Sequence, residues 1–86
     1  MQNTVTQKMV DDIFSKAEKK VYTMFDKCTV VCVKLENGFV LTESSACVDP
    51  TNYNEEIGKE ICFERIKNRI WELEGYKLQC RIFEEE

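Results

Sequence analysis

The centre of the chain reads Cys-Thr-Val-Val-Cys-Val-Lys-Leu at residues 28–35 and Phe-Val-Leu-Thr-Glu-Ser-Ser-Ala-Cys at residues 39–47. The first run is rich in β-branched side chains, which suit the pleated surface of a strand. Asn37-Gly38 stands between the two runs, and this dipeptide is a strong hairpin signal because both residues tolerate positive φ. The segment therefore predicts two antiparallel strands joined by a two-residue type I′ turn.

A two-residue turn also predicts which side chains share a face of the hairpin, because side chains alternate along a strand. The predicted cross-strand pairs are Leu35 with Val40, Val33 with Thr42 and Val31 with Ser44. The predicted occupants of the opposite face are Cys32, Phe39, Leu41 and Cys47.

The sequence before the hairpin predicts one helix and one strand. Apolar residues of segment 4–18 recur at spacings of three and four, which is typical of an amphipathic helix. A side-chain oxygen of Asn3 or Thr4 is suited to cap its first turn. Residues 20–26 then predict either a strand that precedes the hairpin or a continuation of the helix, and the strand is favoured.

The sequence after the hairpin predicts a second helix and a last strand. Asn52 followed by Glu55 resembles a capping box, so the helix is expected over about 53–73. Gly75 is suited to end it, and alternation over 76–83 predicts a strand. The predicted core-facing stripe of the helix is Cys62, Phe63, Ile66, Ile70 and Leu73.

The element order α-β-β-β-α-β predicts an α+β fold: a mostly antiparallel sheet of about four strands with two helices, in a single domain over 1–86. With 12 basic and 16 acidic side chains, the net charge of −4 disfavours non-specific binding to nucleic acid. No apolar run is long enough for a membrane span, so we expect no membrane contact. The core of an 86-residue chain is small, so we expect a homo-oligomer.

The chain contains no histidine, which excludes histidine-based catalytic triads and histidine-containing zinc sites. A strand carboxylate such as Glu43 remains as a possible base, but such a charge more often protects a sheet edge. The five cysteines include no Cys-x-x-Cys pair, and they favour reduced packing side chains over a mixed metal site. We therefore expect a binding protein with no cofactor and no metal, and not an enzyme, in a cytoplasm.

Two arginines stand out as candidate ligand-binding residues. Arg65 and Arg69 are one helical turn apart, so both guanidinium groups can reach one phosphate or pyrophosphate. Gly58 is predicted on the same flank, where it would allow close approach of a ligand. The alternative is a set of ordinary surface ion pairs with neighbouring glutamates.

Two aromatic residues are further candidates. Phe39 follows the hairpin turn, where it would stack on a nucleobase or else join the core. Trp71 falls near the polar side of the second helix, and a large aromatic there often marks a subunit or partner contact.

Several spaced motifs resemble the gene-49/gene-66 family of small tailed-phage proteins. They are Asn-Gly-Phe at 37–39, Glu-Ser-Ser-Ala-Cys-Val-Asp-Pro at 43–50, Asn-Tyr-Asn-Glu-Glu-Ile-Gly at 52–58 and Ile-Trp-Glu-Leu-Glu-Gly-Tyr at 70–76. The resemblance covers about 28–80. It implies a phage protein that acts in the cytoplasm of the infected bacterial host, and it implies no particular reaction.

The layout is also similar to part of the Thoeris anti-defence sponge proteins, which capture cyclic ADP-ribose-type signals without cleaving them. This similarity implies ligand contacts by Phe39, Asp49, Arg65 and Arg69. A long helical hairpin of related sponges has no counterpart here. The leading hypothesis is therefore a non-catalytic counter-defence protein that sequesters a nucleotide-derived signal.

The alternative hypothesis is an acidic protein-binding inhibitor of a bacterial defence complex such as a CRISPR nuclease. Its basis is the charge of −4 and the acidic runs at 55–60 and 84–86, which would suit a basic groove. The partner is then a defence protein instead of a small nucleotide-like ligand.

Overall fold

A computed structural model describes residues 3–85. The helices and strands are α1 (Gln7–Ser15), β1 (Glu18–Met24), β2 (Cys28–Lys34), β3 (Val40–Ala46), a short 3-10 helix (Pro50–Asn52) and α2 (Glu55–Glu85). The order is α-β-β-β-α, and the strands form one antiparallel sheet in the order β1-β2-β3. The α+β class with two helices is therefore confirmed, but the described residues form three strands and not about four.

The predicted hairpin register was wrong by one residue. Val33 pairs with Leu41 and not with Thr42. The turn is a three-residue loop, because Leu35 and Phe39 close it: the Leu35 N–H donates to the Phe39 carbonyl at 2.8 Å. Gly38 adopts the positive φ (96°) that such a loop needs at its last position.

This shift decides which side of the sheet is buried, because a slip of one residue moves every side chain to the opposite face. Leu41 lies on the helix-facing side and is 1% exposed, whereas Val40 lies on the other side and is 51% exposed. The helix-facing side also carries Val31 and Val33, both fully buried. The hairpin therefore presents a continuous apolar face on the side of the sheet where the helices lie.

The predicted last strand over 76–83 does not form, because α2 continues through it to Glu85. Gly75 therefore lies inside the helix and does not end it. Leu78 and Ile82 are partly buried and four residues apart, which fits a helix as well as the alternation fits a strand. An interior glycine costs a helix about 1 kcal/mol, and the partial burial of Leu78 and Ile82 acts against that cost.

Both helices begin later than predicted. Thr6, and not Asn3 or Thr4, caps α1: its Oγ1 accepts a hydrogen bond from the Met9 N–H at 3.2 Å. α1 ends at Ser15 instead of continuing to 18, so β1 begins at Glu18.

At the start of α2, the capping residue is Asn54 and not Asn52. The Asn54 Oδ1 accepts a hydrogen bond from the Ile57 N–H at 3.3 Å. Asn52 instead belongs to the 3-10 helix, which Pro50 and the Asp49 cap initiate. The connection between β3 and α2 is therefore more ordered than a plain loop.

The core lies between the sheet and the two helices. α2 buries one residue per turn toward the sheet: Gly58, Cys62, Ile66 and Ile70. Phe63, also predicted for the core, is half-buried and packs edge-to-face on Phe14 with ring centroids 5.0 Å apart. Leu73 was predicted to belong to this stripe but is 39% exposed, so it lies at the margin of the core and not within it. The remaining buried apolar residues are Val10, Phe14, Ala17, Val31, Val33, Leu35 and Leu41.

Candidate functional site

The two arginines predicted as a pair do meet along one edge of the sheet. The Arg65 Nη1 donates to the Ser44 carbonyl at 2.7 Å, and the Arg69 Nη1 donates to the Thr42 carbonyl at 3.2 Å. Arg69 also forms an ion pair with Glu43 at 3.5 Å. We call this surface, formed by Arg65, Arg69 and residues 42–44, the arginine edge.

The register explains why these carbonyls are available. β3 is an edge strand, and the closing bond between Leu35 and Phe39 means that odd-numbered residues of β3 bond to β2. Thr42 and Ser44 therefore point their backbone groups away from the sheet. The arginines cover these groups, which protects an edge strand from pairing with another chain.

The arginine edge also retains capacity to bind an anion. A guanidinium group carries five N–H donors, and among residues 3–85 the hydrogen bonds of both arginines use only Nη1. Both side chains are exposed, and contacts to β3 fix their direction. The nearby Glu43 carboxylate opposes an anion, so it sets a limit on affinity at this surface.

The other predicted ligand contacts are not gathered around the arginines. Phe39 is half exposed at one end of β3, three residues or roughly 10 Å along the strand from Thr42. Asp49 lies beyond the opposite end of β3. Its carboxylate accepts a hydrogen bond from the Thr51 N–H at 3.0 Å, and this bond lowers the pKa of Asp49. Asp49 thus serves as the cap of the 3-10 helix.

Gly58 and Trp71 also have packing roles. Gly58 lies on the buried stripe of α2 and not on its flank, because an added Cβ would meet the side chain of Thr29. Trp71 is half-buried and packs against the core. Of the predicted contacts, the structure therefore places only the two arginines on a common exposed surface. Phe39 lies apart from them, directly before the first residue of β3.

A polar network that the sequence did not reveal holds the start of α2 to the sheet. The Tyr53 hydroxyl lies 2.6 Å from the Thr29 Oγ1 and 2.9 Å from the Thr23 Oγ1. Thr23 also donates to the carboxylate of Glu55. Thr29 is fully buried, so this network satisfies a group that would otherwise destabilise the core.

The largest of the four clefts described has a volume of about 460 Å³ and lies between α1, the β2–β3 loop and α2. Its lining residues are Asp12, Ile13, Lys16, Leu35, Glu36, Asn37, Glu74 and Lys77. Three of them are acidic and two are basic, and Lys77 already pairs with Glu74 at 3.1 Å. This cleft is therefore a poor match for a phosphate group, and it contains none of the predicted site residues.

The cysteines do not form a reactive or metal-binding cluster in the described chain. All five are free thiols, and burial raises the pKa of the Cys62 thiol. Over residues 3–85, no group of three Cys, Asp or Glu side chains is arranged to hold a metal ion. Within the same range, neither helix has the length and apolar composition needed to cross a membrane.

Comparison with known proteins identifies the family. No curated protein and no solved structure shows a significant match. The model of the phage protein family described as N4 Gp49/phage Sf6 gene 66 matches residues 2–82, which is nearly the whole chain. The chain therefore belongs to the N4 Gp49/Sf6 gene 66 family of phage proteins.

Proposed function

We propose that this phage protein is a non-catalytic counter-defence factor, which binds and sequesters a nucleotide-derived immune signal of the cyclic ADP-ribose or cyclic oligonucleotide type in the cytoplasm of the infected bacterium. The arginine edge carries this proposal. The guanidinium groups of Arg65 and Arg69 lie one helical turn apart. Each can donate two parallel N–H bonds to the oxygens of a pyrophosphate or of two phosphodiesters.

The contacts of the arginines with β3 favour binding. Carbonyl groups of Thr42 and Ser44 already hold the two side chains in place, so less side-chain entropy is lost when a ligand arrives. Phe39 would contact a base at the far end of the ligand. A molecule with both a pyrophosphate and a base is long enough to span the roughly 10 Å along the strand.

A thermal-shift experiment with cyclic ADP-ribose isomers and cyclic dinucleotides tests this function. A ligand at a hundred times its dissociation constant stabilises the folded protein by about 2.7 kcal/mol. For a chain of this size, the midpoint of unfolding should rise by roughly 10 °C or more. The proposal is rejected if none of these compounds shifts the midpoint at hundred-micromolar concentration.

Matched variants assign the binding to the arginine edge. Arg65→Gln and Arg69→Gln should each remove most of the shift, whereas Arg81→Gln on the same helix should leave it intact. Glu43→Gln should increase the shift, because it removes the carboxylate that opposes an anion. A ligand response that survives the double variant Arg65→Gln, Arg69→Gln would place the site elsewhere.

A specific feature of the β1–β2 loop favours the second candidate function, inhibition of a defence complex by protein binding. Phe25 and Asp26 both have positive φ, and Phe25 is 90% exposed. A bulky side chain in this conformation is strained, and its exposed ring buries nothing in the free protein. Val48 is also almost fully exposed. It lies beside this loop, because the Lys27 Nζ donates a hydrogen bond to the Val48 carbonyl.

Phe25→Gly tests the second candidate against a purified CRISPR nuclease. The change should raise the free energy of unfolding by about 1 kcal/mol, because glycine tolerates positive φ. If Phe25 anchors the partner, the same change should weaken binding at least tenfold. The interaction should also weaken at high salt, since it joins an acidic protein to a basic groove. Unchanged affinity of Phe25→Gly would reject Phe25 as the anchor.

A further inference from the structure

The C-terminal half of α2 extends well beyond the sheet. A helix of 31 residues is about 46 Å long, whereas a strand of seven residues spans roughly 23 Å. The molecule is correspondingly elongated, with a longest dimension of 55 Å. Roughly half of α2 therefore has no sheet beneath it.

One side of this extension is covered by the chain itself. Thr4, Val5 and Met9 form a cleft together with Leu78 and Arg81 of α2. The opposite side carries the exposed Tyr76 and Phe83 and, between them, the partly buried Cys80. At 100° per residue these three side chains lie within 60° of one another around the helix. Tyr76 and Phe83 are each 73% exposed.

We infer that this open stripe, formed by Tyr76, Cys80 and Phe83, is the contact surface for a second copy of the chain in an antiparallel helix pair. Such a pair has a two-fold axis, so each residue meets a fixed counterpart on the other copy. With the axis near Cys80, Tyr76 lies against Phe83 of the second copy, and the two Cys80 side chains meet.

The charges beside the stripe are self-complementary in the same register. Lys77 and Glu84 lie on one flank of the stripe, seven residues apart. Lys77 already pairs with Glu74 of its own chain at 3.1 Å. The axis near Cys80 brings it to Glu84 of the other copy, so each lysine is then shared between two carboxylates. A parallel pairing would instead place the Lys77–Glu84 flanks of the two copies on opposite sides of the contact, so no lysine would reach a glutamate of the second copy. The charge pattern therefore favours the antiparallel arrangement. In it, an identical chain supplies both the aromatic and the charged counterparts of the stripe.

The contact is small. It comprises about three turns of helix from each copy, at the low end of the interface sizes of specific complexes. We therefore expect a dimer with a micromolar dissociation constant, which forms and dissociates with protein concentration. The exposed aromatic pair supplies most of the affinity, and the ion pairs set the register.

Sedimentation equilibrium over a concentration series tests the dimer. The wild-type chain should pass from the monomer mass of 10.1 kDa to twice that mass as its concentration rises to roughly 500 μM. Tyr76→Glu and Phe83→Glu should weaken the dimer at least tenfold. Phe25→Glu, at an even more exposed aromatic outside α2, should leave it unchanged, and circular dichroism would verify that all variants are folded.

A charge exchange tests the register. Lys77→Glu and Glu84→Lys should each weaken the dimer by roughly two- to fivefold, as expected for an exposed ion pair. The double variant should restore wild-type affinity. A thiol-reactive crosslinker should join two chains through Cys80, as mapped by mass spectrometry, and Cys80→Ser should abolish that product. A chain that stays monomeric at 500 μM, or a dimer that Phe83→Glu does not weaken, would overturn the inference.

Discussion

The two halves of α2 belong to one continuous helix but have different surroundings. Over 55–70, the helix lies on the sheet and buries one residue per turn, including a glycine packed against Thr29. Over 71–85, it lies beyond the sheet, and Tyr76 and Phe83 face solvent. The first half is therefore part of the core, whereas the second half presents a surface.

The difference shows that helix formation and burial are separate consequences of this sequence. Hydrogen bonding propagates through Gly75 because each added residue adds one bond once a helix exists. Burial stops earlier, because α2 runs antiparallel to β3 and passes the edge of the sheet near Val40, the first residue of β3. The arginine edge lies just before this point, where the exposed flank of α2 still contacts the sheet.

The largest expected effect comes from a cavity in the first half. Ile66→Ala should lower the free energy of unfolding by about 3 kcal/mol, because Ile66 is fully buried and truncation leaves an unfilled space. Ile82→Ala, the same change in the second half, should cost less than about 1 kcal/mol, because Ile82 is only partly buried. Urea denaturation at low protein concentration measures both. Equal losses would remove the distinction between the halves.

The next effect comes from adding a methyl group to the first half. A Cβ at Gly58 would lie 2.2 Å from the Thr29 Oγ1 and 2.9 Å from its Cβ. Gly58→Ala should therefore destabilise the fold by about 2 kcal/mol despite the better helix propensity of alanine. Thermal or urea unfolding measures the change. A stabilised Gly58→Ala protein would show that α2 does not pack this closely on β2.

Gly75→Ala is the matched change in the second half, and it should have the opposite sign. Nothing lies within 4 Å of a Cβ built at Gly75, so only helix propensity acts there. The change should stabilise the protein by about 0.5–1 kcal/mol. The same unfolding experiment measures it, and a destabilised variant would indicate that an unseen neighbour contacts this part of the helix.

The smallest expected effect concerns the connection that leads into the first half. The hydrogen bond from Thr51 lowers the pKa of Asp49 below its ordinary value of 3.8. Its ionised form therefore stabilises the fold above that value, and the contribution is lost as the pH falls through the lower, folded-state pKa. Between about pH 5 and pH 2, the wild-type chain should lose slightly more stability than Asp49→Asn. Titration of the Asp49 carboxyl by NMR would refute this explanation if its pKa is not lowered.

The sequence predicted the type of most elements but not their limits. The β-branched run at 28–35 identified β2, because such side chains suit few other structures. Asn37-Gly38 fits both two- and three-residue hairpin loops, so the register could not be derived from the turn residues alone. Alternation over 76–83 fits a strand and a helix about equally well, and only the absence of a neighbouring strand in the described residues decides between them.

The candidate site was predictable in part for a similar reason. The spacing of Arg65 and Arg69 along one helix is local information, and their adjacency was predicted correctly. Their carbonyl partners depend on β3 being an edge strand, which the sequence does not state. The separation of Phe39 from Asp49 likewise follows from β3 running straight between them. Local spacing along the sequence therefore predicted the arginine pair, but it could not predict contacts between segments that are distant in the sequence.

Hydrogen exchange along α2 at two protein concentrations tests the contrast between its halves most directly. Amides of 58–70 should exchange slowly, and equally so at low and high concentration, because the core of each chain protects them. Amides of 76–85 should exchange fast in dilute protein and more slowly at several hundred micromolar, as pairing with a second copy protects them. Uniform protection along the whole helix, unchanged by concentration, would contradict both the independent halves and the helix pair.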